Sequence, residues 1–540
     1  MPAAERTVGQ AFARSLRATG LQRVYGLPGE DHLRLLDALE AEGLSYVAAR
    51  DECAAAMMAA TEAQATGRPG VVLVTIAPGL TNAVNGVAHA HLDGIPLLVV
   101  TGQHAPERAP LIVRQSLDNH RLVDSLTKWS AVASGRIHQV LARALDTAMA
   151  PPAGPVLLEL RDDVAEAVAL DRLEDWPLLQ STAHALRHSY EQPFAPEIVA
   201  RIGTASRPAI VVGGGCPHKA RIAGLGQGLR APVFTSPSAI GMITKSEQWF
   251  AGTFMNGNLE TQILAEADLI ITVGLDAKDF FNAAWRYQAP IVAINERPDT
   301  QRFAPTTFQL VGDTTSIIQA LVDCSSSSSS VWSDADVAAY RQHVDEPFRL
   351  ADTDAFTIPA ALRMARSILP PETLVAVDAG FGKPLTSYLW SMPAPNRYFT
   401  AHGLSTMGFA IPAANALQLT FPDHPVVAFM GDGSLLMRAT EITVAAEHNL
   451  APIYIAWMDR SLAQIETKQL RQDLHPVGAG LPEISCARVA EAFGATGFDV
   501  ETLEAFRCAL QAALTSRRPT LIGAKVDQTH RGEWYELLRG

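Results

Sequence analysis

Short runs of β-branched and aliphatic residues recur along the chain, each followed by a turn containing Gly or Pro and then by an Ala-rich stretch with helical spacing. A run that is apolar at every position reads as a strand buried on both faces, and its alternation with helical stretches marks βα units of a parallel sheet. Residues 71–75 and 96–100 are close to runs of this kind, residues 82–91 carry a helical pattern between them, and residues 45–50 also read as a strand. The pattern lapses at 175–196, where polar residues including His184 and His188 accumulate and predict a linker. It restarts at 208–215. Six consecutive serines, Ser325 to Ser330, follow Cys324, and such a stretch cannot offset its ordering entropy by burying apolar surface, so it predicts a flexible connection. Beyond it, residues 373–378, 425–430, 452–458 and 519–523 predict the strands of a third unit. The expected fold class is α/β, with three doubly wound parallel-sheet domains at 1–175, 190–323 and 346–540 and a Ser-rich linker over 324–345.

Length agrees with this division, since 540 residues exceed the roughly 250 to 300 that one core can serve. Composition narrows the function classes. With 48% apolar and 18% charged residues the chain is an ordinary globular one, and no stretch approaches the roughly 20 apolar residues of a membrane helix. Residues 1–20 read as an amphipathic helix without a continuous apolar segment, not as a signal peptide, which points to the cytoplasm. A net charge of −13 without a Lys/Arg cluster argues against nucleic acid as a partner. Cys53, Cys216, Cys324, Cys486 and Cys508 are scattered and never form a Cys-x-x-Cys pair, so neither zinc nor a disulfide framework is indicated.

Candidate chemistry begins in the third unit. The apolar run 425–430 ends in the turn Gly431-Asp432-Gly433-Ser434, and residues 435–448 have helical periodicity, so the turn opens a helix. Backbone N–H groups at a helix start favour a phosphate, and Asp432 offers a hard oxygen ligand for magnesium on that phosphate. The next run, 452–458, ends at Asp459, which belongs at the carboxyl end of the neighbouring strand. A βαβ unit of about 30 residues brings two such strand ends side by side, and paired carboxylates there suit an octahedral ion.

Gly-Asp-Gly followed after this interval by an acidic strand end resembles the metal and diphosphate signature of thiamine diphosphate-dependent enzymes, and the resemblance to acetolactate synthase-like members spans nearly the whole chain. It implies three domains: pyrimidine-binding, middle and diphosphate-binding. Arg50-Asp51-Glu52 resembles the family's Arg-His-Glu, which makes Glu52 the carboxylate that hydrogen-bonds the aminopyrimidine ring and drives the cofactor's proton relay. The segment Gly403 to Ala414 is similar to the one that places a bulky apolar residue under the cofactor, here Met407, with Ser405 beside it. Gly29 and Glu30 in Gly26-Leu27-Pro28-Gly29-Glu30, and Pro78 and Asn82 in Ala77-Pro78-Gly79-Leu80-Thr81-Asn82, fall in the family's order, and Gln115 matches a loop glutamine that approaches the reacting centre. The resemblance thus implies catalytic roles for Glu52, Gln115, Gly29 and Glu30. It implies cofactor contacts at Pro78, Asn82, Ser405, Met407, Gly431, Gly433 and Ser434, and magnesium at Asp432, Asp459 and the Ser461 carbonyl.

The chain departs from the pattern in three places. Asp459 stands where most relatives have Asn, and Gly380-Phe381-Gly382 replaces Gly-Gln-His near the diphosphate. Gly274-Leu275-Asp276-Ala277 lacks the arginine that holds FAD in acetolactate synthases, so FAD is not expected. The implied activity is decarboxylation of a 2-oxo acid, followed by joining to a second carbonyl acceptor or by protonation. A lyase or hydrolase that cleaves a carbon–carbon bond without releasing carbon dioxide is one alternative, and a catalytically silent cofactor-binding protein is another. The implied partners are the small-molecule substrates and further copies of the chain, as a homodimer or homotetramer.

Overall fold

The structure, a computed structural model, describes residues 6–108, 111–176, 195–279, 284–298, 303–324, 329–350 and 355–539. The predicted linker 175–196 lies mostly outside the described residues, as do Ser325 to Ser328.

Three six-stranded sheets follow one another along the chain, and every strand pairing in them is parallel. The first contains β1 (Arg23–Gly26), β2 (Ser45–Ala48), β3 (Gly70–Val74), β4 (Leu97–Thr101), β5 (Ser130–Val132) and β6 (Pro155–Glu159), in the order β2-β1-β3-β4-β6-β5. The second contains β7 (Pro208–Val212), β8 (Val233–Thr235), β9 (Phe250–Thr253), β10 (Leu269–Val273), β11 (Ile291–Asn295) and β12 (Thr306–Val311), in the order β12-β11-β10-β7-β8-β9. The third contains β13 (Leu374–Val377), β14 (Tyr398–Thr400), β15 (Val426–Gly431), β16 (Ile453–Trp457), β17 (Thr496–Val500) and β18 (Thr520–Ala524), in the order β14-β13-β15-β16-β18-β17. These are the α/β domains the apolar runs predict. Inner strands such as β3, β4, β7, β10, β16 and β18 are buried at every residue, whereas β2, β5, β12 and β17, at sheet edges, are mostly half-buried or exposed.

In each sheet the chain winds outward from one strand, then returns to that strand's other side, leaving a crevice at the carboxyl edge. The crevices fall between β1 and β3, between β7 and β10, and between β13 and β15. The first receives the loops carrying Gly29 and Pro78, and the third receives the loops after Val377 and Gly431. In the second, Asp279 fills the space itself, accepting hydrogen bonds from the Gly214 N–H, the Asp276 N–H and the Ser236 hydroxyl.

The first and third domains meet along the helix Glu52–Thr66, whose composition is apolar all round and whose residues are nearly all buried. It lies against the helices Pro78–Asp93 and Ala410–Thr420. Gly86 permits the first crossing, since a Cβ there would stand 2.5 Å from Ala56 Cβ and 2.8 Å from the Cys53 carbonyl oxygen.

The structure corrects one local expectation. The helical pattern over 435–448 is not one helix but Asp432–Arg438, a 3-10 turn at Ala439–Glu441, and Ile442–Glu447. The break turns Glu441 inward, where its carboxylate accepts the Arg50 N–H and its carbonyl accepts the Asn415 side-chain amide. Ser329 and Ser330, the described end of the serine run, donate to the carbonyls of Gly203 and Arg230, and the helix Asp334–Leu350 then packs on β9. Among the described residues, no helix is long and apolar enough to cross a membrane.

Candidate active site

Strand register places the two acidic residues next to each other. Gly431, the last residue of β15, is paired with Trp457, the last of β16, so Asp432 and Asp459 emerge from adjacent strand ends. Asp432 opens the helix Asp432–Arg438; its Oδ2 accepts the Arg460 N–H at 2.7 Å and its Oδ1 the Gly433 N–H at 2.8 Å. Asp459 Oδ1 accepts the Ser461 N–H at 3.2 Å. Burial and the neighbouring Asp432 carboxylate push Asp459 up to about 7, and burial raises Asp432 as well. The Ser461 hydroxyl donates to Glu466, which Arg531 also holds, so the loop is tied from behind.

These groups line one end of a cavity of about 750 Å³ at the carboxyl edge of the third sheet. Phe429 and Trp457 stack with parallel rings 5.7 Å apart on its wall. Met407 reaches the turn from another segment: a Cβ on Gly433 would stand 3.1 Å from the Met407 methyl carbon and 2.7 Å from Leu462. Gly431 and Gly380 meet nothing within 4 Å on that side. Ser405, also on the wall, holds a positive φ of 53°, and Arg460, between Asp459 and Ser461, one of 58°. Non-glycine residues are rarely kept in that region unless the surroundings require it.

The cavity fits a magnesium-bound diphosphate. The two carboxylates supply hard oxygens, the helices Asp432–Arg438 and Gly382–Leu389 both begin at its wall without a side-chain cap, and the Trp457 indole N–H is buried with no acceptor. Among the described residues, no group of three or more His, Cys, Asp or Glu side chains gathers to hold an ion.

The second cluster lies in the first domain. Glu52 is the first residue of its helix, behind the cap Asp51, and is only 6% exposed. Asn82 donates to Glu52 Oε2 at 2.6 Å and to Asp51 Oδ2 at 2.9 Å. Glu52 Oε1 faces Gly79, where a Cβ would stand 3.4 Å away. Pro78 starts the helix Pro78–Asp93 behind Ala77, whose φ is 51°. Gly29 has no room for a side chain, because Thr75 Oγ1 lies 2.3 Å from its Cβ position. Glu30 is exposed, and its neighbour Asp31 is the engaged carboxylate, accepting from the Thr75 hydroxyl and the Ile76 N–H. Gln115 stands apart at a φ of 58° in a loop that exposes Leu111 and Val113.

The two clusters do not meet within one chain. Glu52, Asn82, Pro78, Gly29, Glu30 and Gln115 are absent from the cavity wall. Asp51 pairs with Arg438 at 3.3 Å, at the far end of the helix that Asp432 opens, so roughly 9 Å of helix separates the clusters.

Sequence reasoning missed several groups. The Tyr46 hydroxyl is buried without a partner and is held well above its usual pKa by burial and by Glu52 and Asp31. Lys278, Lys383, His402 and Arg539 also line the cavity.

Three family models match in order: the thiamine pyrophosphate enzyme N-terminal TPP binding domain over residues 6–122, its central domain over 196–321 and its C-terminal TPP binding domain over 378–524. The chain is 28% identical to a probable 2-ketoarginine decarboxylase of Pseudomonas aeruginosa over 96% of its own length and 93% of the relative's. It is 27% identical to the large subunit of acetolactate synthase isozyme 1 of Escherichia coli, covering 97% of this chain and 94% of that one. An acetolactate synthase of Bacillus subtilis is also 27% identical, over 94% and 91% of the two chains.

Proposed function

The chain belongs to the thiamine pyrophosphate enzymes, as a thiamine diphosphate-dependent, acetolactate synthase-like member, and on that premise we propose that it decarboxylates a 2-oxo acid with magnesium as second cofactor. The remaining acyl fragment is joined to a second carbonyl compound or released after protonation. The observation that carries this reading is the Asp432/Asp459 pair at adjacent strand ends, in a cavity closed on one side by Met407.

Thiamine diphosphate, when bound, supplies the electron sink for loss of carbon dioxide. The chain supplies the rest. Asp432, Asp459 and the Ser461 carbonyl would hold the metal, and the main chain of Gly431, Gly433 and Ser434 would back the diphosphate, next to Ser405 and Met407. Asn82 occupies Glu52 Oε2 and leaves Oε1 to hold and return a proton at the aminopyrimidine ring. Burial around Glu52 keeps water from competing for that proton.

Because Glu52 lies outside the cavity of its own chain, the reading requires a second copy whose first domain faces it, as a homodimer or a larger even assembly. Exposed apolar side chains support this on both sides: Leu111 and Val113 beside Gln115, and Leu436, Met437 and Leu474 near the metal end. A cytoplasmic location belongs to the same proposal, in keeping with four described cysteines that are all free thiols. The test is calorimetric titration of thiamine diphosphate with and without magnesium, followed by a screen of 2-oxo acids for carbon dioxide release. Metal-dependent binding and turnover of at least one 2-oxo acid are expected, and binding unaffected by magnesium would overturn the reading.

A further inference from the structure

A second cavity, of about 410 Å³, lies beside β9, the edge strand of the second sheet, and not in the crevice between β7 and β10. Three parts of the chain wall it: Lys245 and residues 250–252 of the middle domain, the helix Asp334–Leu350, and Tyr388 in the helix Gly382–Leu389 of the third domain. Among the described residues, none lines both this cavity and the one that holds Asp432 and Asp459.

Helical spacing gathers charge on one wall. Arg341, Asp345 and Arg349 recur every four residues of the helix Asp334–Leu350, so they share a face, and all three border the cavity. Asp345 is taken up by Arg349, whose Nε donates to its Oδ2 at 2.7 Å. Arg341 and Lys245 engage main-chain carbonyls instead. The Arg341 guanidinium donates to those of Lys245 and Phe250 at 3.2 and 3.4 Å, and the Lys245 ammonium to that of Leu389 at 3.1 Å. Burial lowers the Lys245 ammonium from its usual value, Asp345 opposes the shift, and Arg341, Arg363 and Arg349 add to it. Asp345 is the one carboxylate among the described residues of the wall, set against three cations, so the cavity keeps an excess of two positive charges. A cleft lined by one sign of charge draws in an ion of the other.

The backbone leaves room for that ion. Ala251 is an extra residue in β9, where the register with β8 shifts, and bulges of this kind recur beside functional sites. Gly252 next to it holds a φ of 148°, which favours glycine, and a Cβ there would meet Tyr388 Cε2 at 3.9 Å and nothing nearer. Phe250, Val344 and the Tyr388 ring supply apolar wall beside the cations. A phosphate monoester matches both features: it carries about −1.5 to −2 charges at neutral pH, its oxygens suit a guanidinium, and its organic part needs apolar contact.

We propose that this second cavity binds a small phosphorylated metabolite, with its phosphate on Lys245 and Arg341 and its organic part against Phe250 and Tyr388. The bound molecule touches the middle domain, the helix after the serine run and the third domain at once, so its binding stabilises their arrangement. The site is separate from the cofactor cavity and does not depend on the thiamine diphosphate reading.

The test uses the full chain saturated with thiamine diphosphate and magnesium, so that phosphate does not compete for the cofactor cavity. Thermal scans compare inorganic phosphate, glycerol 3-phosphate and AMP with glycerol, adenosine and succinate. At least one phosphate compound, present about tenfold above its Kd, raises the Tm by ~2 °C or more, while glycerol and adenosine leave it unchanged and succinate falls short of it. Lys245→Met, at an exposed residue, weakens that binding at least ~10-fold in calorimetry. Ala338→Glu, which adds a carboxylate at an exposed position of the wall and deletes no hydrogen bond, does the same. Inorganic phosphate acting as strongly as the esters would show that the phosphate alone is recognised, and a stronger ester that the organic part contributes; both uphold the site. The absence of a shift with every phosphate compound overturns the proposal. So does a shift with succinate as large as theirs, or binding undiminished in either variant.

Discussion

Asp93 ties the two cofactor-facing domains together, and removing its carboxylate should loosen the cavity from a distance. It ends the helix that starts at Pro78, and it accepts the His402 N–H at 2.9 Å and the Gly403 N–H at 2.5 Å, with His89 3.1 Å away. Those two backbone groups open the segment that carries Ser405 and Met407. In Asp93→Ala the His402 N–H, partly buried, loses its acceptor at about 1–3 kcal/mol, whereas the exposed Gly403 N–H turns to water at ~1 kcal/mol. The sum, about 2–4 kcal/mol, corresponds to a Tm lowered by roughly 5–15 °C at 2–4 °C per kcal/mol. Asp93→Asn keeps one acceptor oxygen and should lose about half. Burial alone would raise the Asp93 carboxyl, but the hydrogen bond and charge of His89 and the backbone donors hold it well below the usual range. A depressed folded value gives stability that is complete above the unfolded pKa of ~3.9 and is lost as pH falls through the folded one. The Tm gap between wild type and Asp93→Asn should therefore be constant from pH 8 to about 5 and shrink below ~4. Differential scanning calorimetry across that range measures both. An Asp93→Ala protein melting within ~1 °C of wild type would refute the interdomain tie.

Three further outcomes are expected. Asp432→Asn should lose magnesium-dependent thiamine diphosphate binding by ~100-fold in calorimetry with little change in Tm, because it leaves the turn's backbone hydrogen bonds an acceptor. Coexpressing Glu52→Gln and Asp432→Asn chains, each inactive alone, should restore about a quarter of wild-type activity, since half of randomly paired dimers then hold one intact site of two; no recovery would place each site within one chain. Glu441, which burial pushes up to about 7, destabilises the fold as pH rises from its unfolded pKa of ~4.3 to ~7. Glu441→Gln should therefore melt above wild type at pH 8 and with it at pH 4, as thermal scans would show.

How much of this was legible in sequence depends on the range of the signal. The Asp432/Asp459 pair was readable because a strand, a turn and a helix repeat within one βαβ unit, so periodicity alone sets two strand ends side by side. Glu52 was not readable in that way. An acidic first residue of a helix is ordinary, and only the resemblance singled it out, while its partner Asn82 arrives from a different crevice loop. The basic residues of the cavity were not legible as a group, because Lys278, Lys383, His402 and Arg539 come from four distant segments that only tertiary packing unites. Periodicity also suggested one helix over 435–448, but an inward glutamate bound to Arg50 interrupts it, a long-range contact that no local pattern encodes.

The most direct test of the central claim is carbon dioxide release by Glu52→Gln under saturating thiamine diphosphate and magnesium, with the 2-oxo acid that the wild type turns over fastest. Gln keeps the shape and the Asn82 contact but cannot hold the relay proton, so the account requires unchanged folding, near-normal cofactor binding and a rate lowered at least ~100-fold. A Glu52→Gln protein that releases carbon dioxide at the wild-type rate would contradict it.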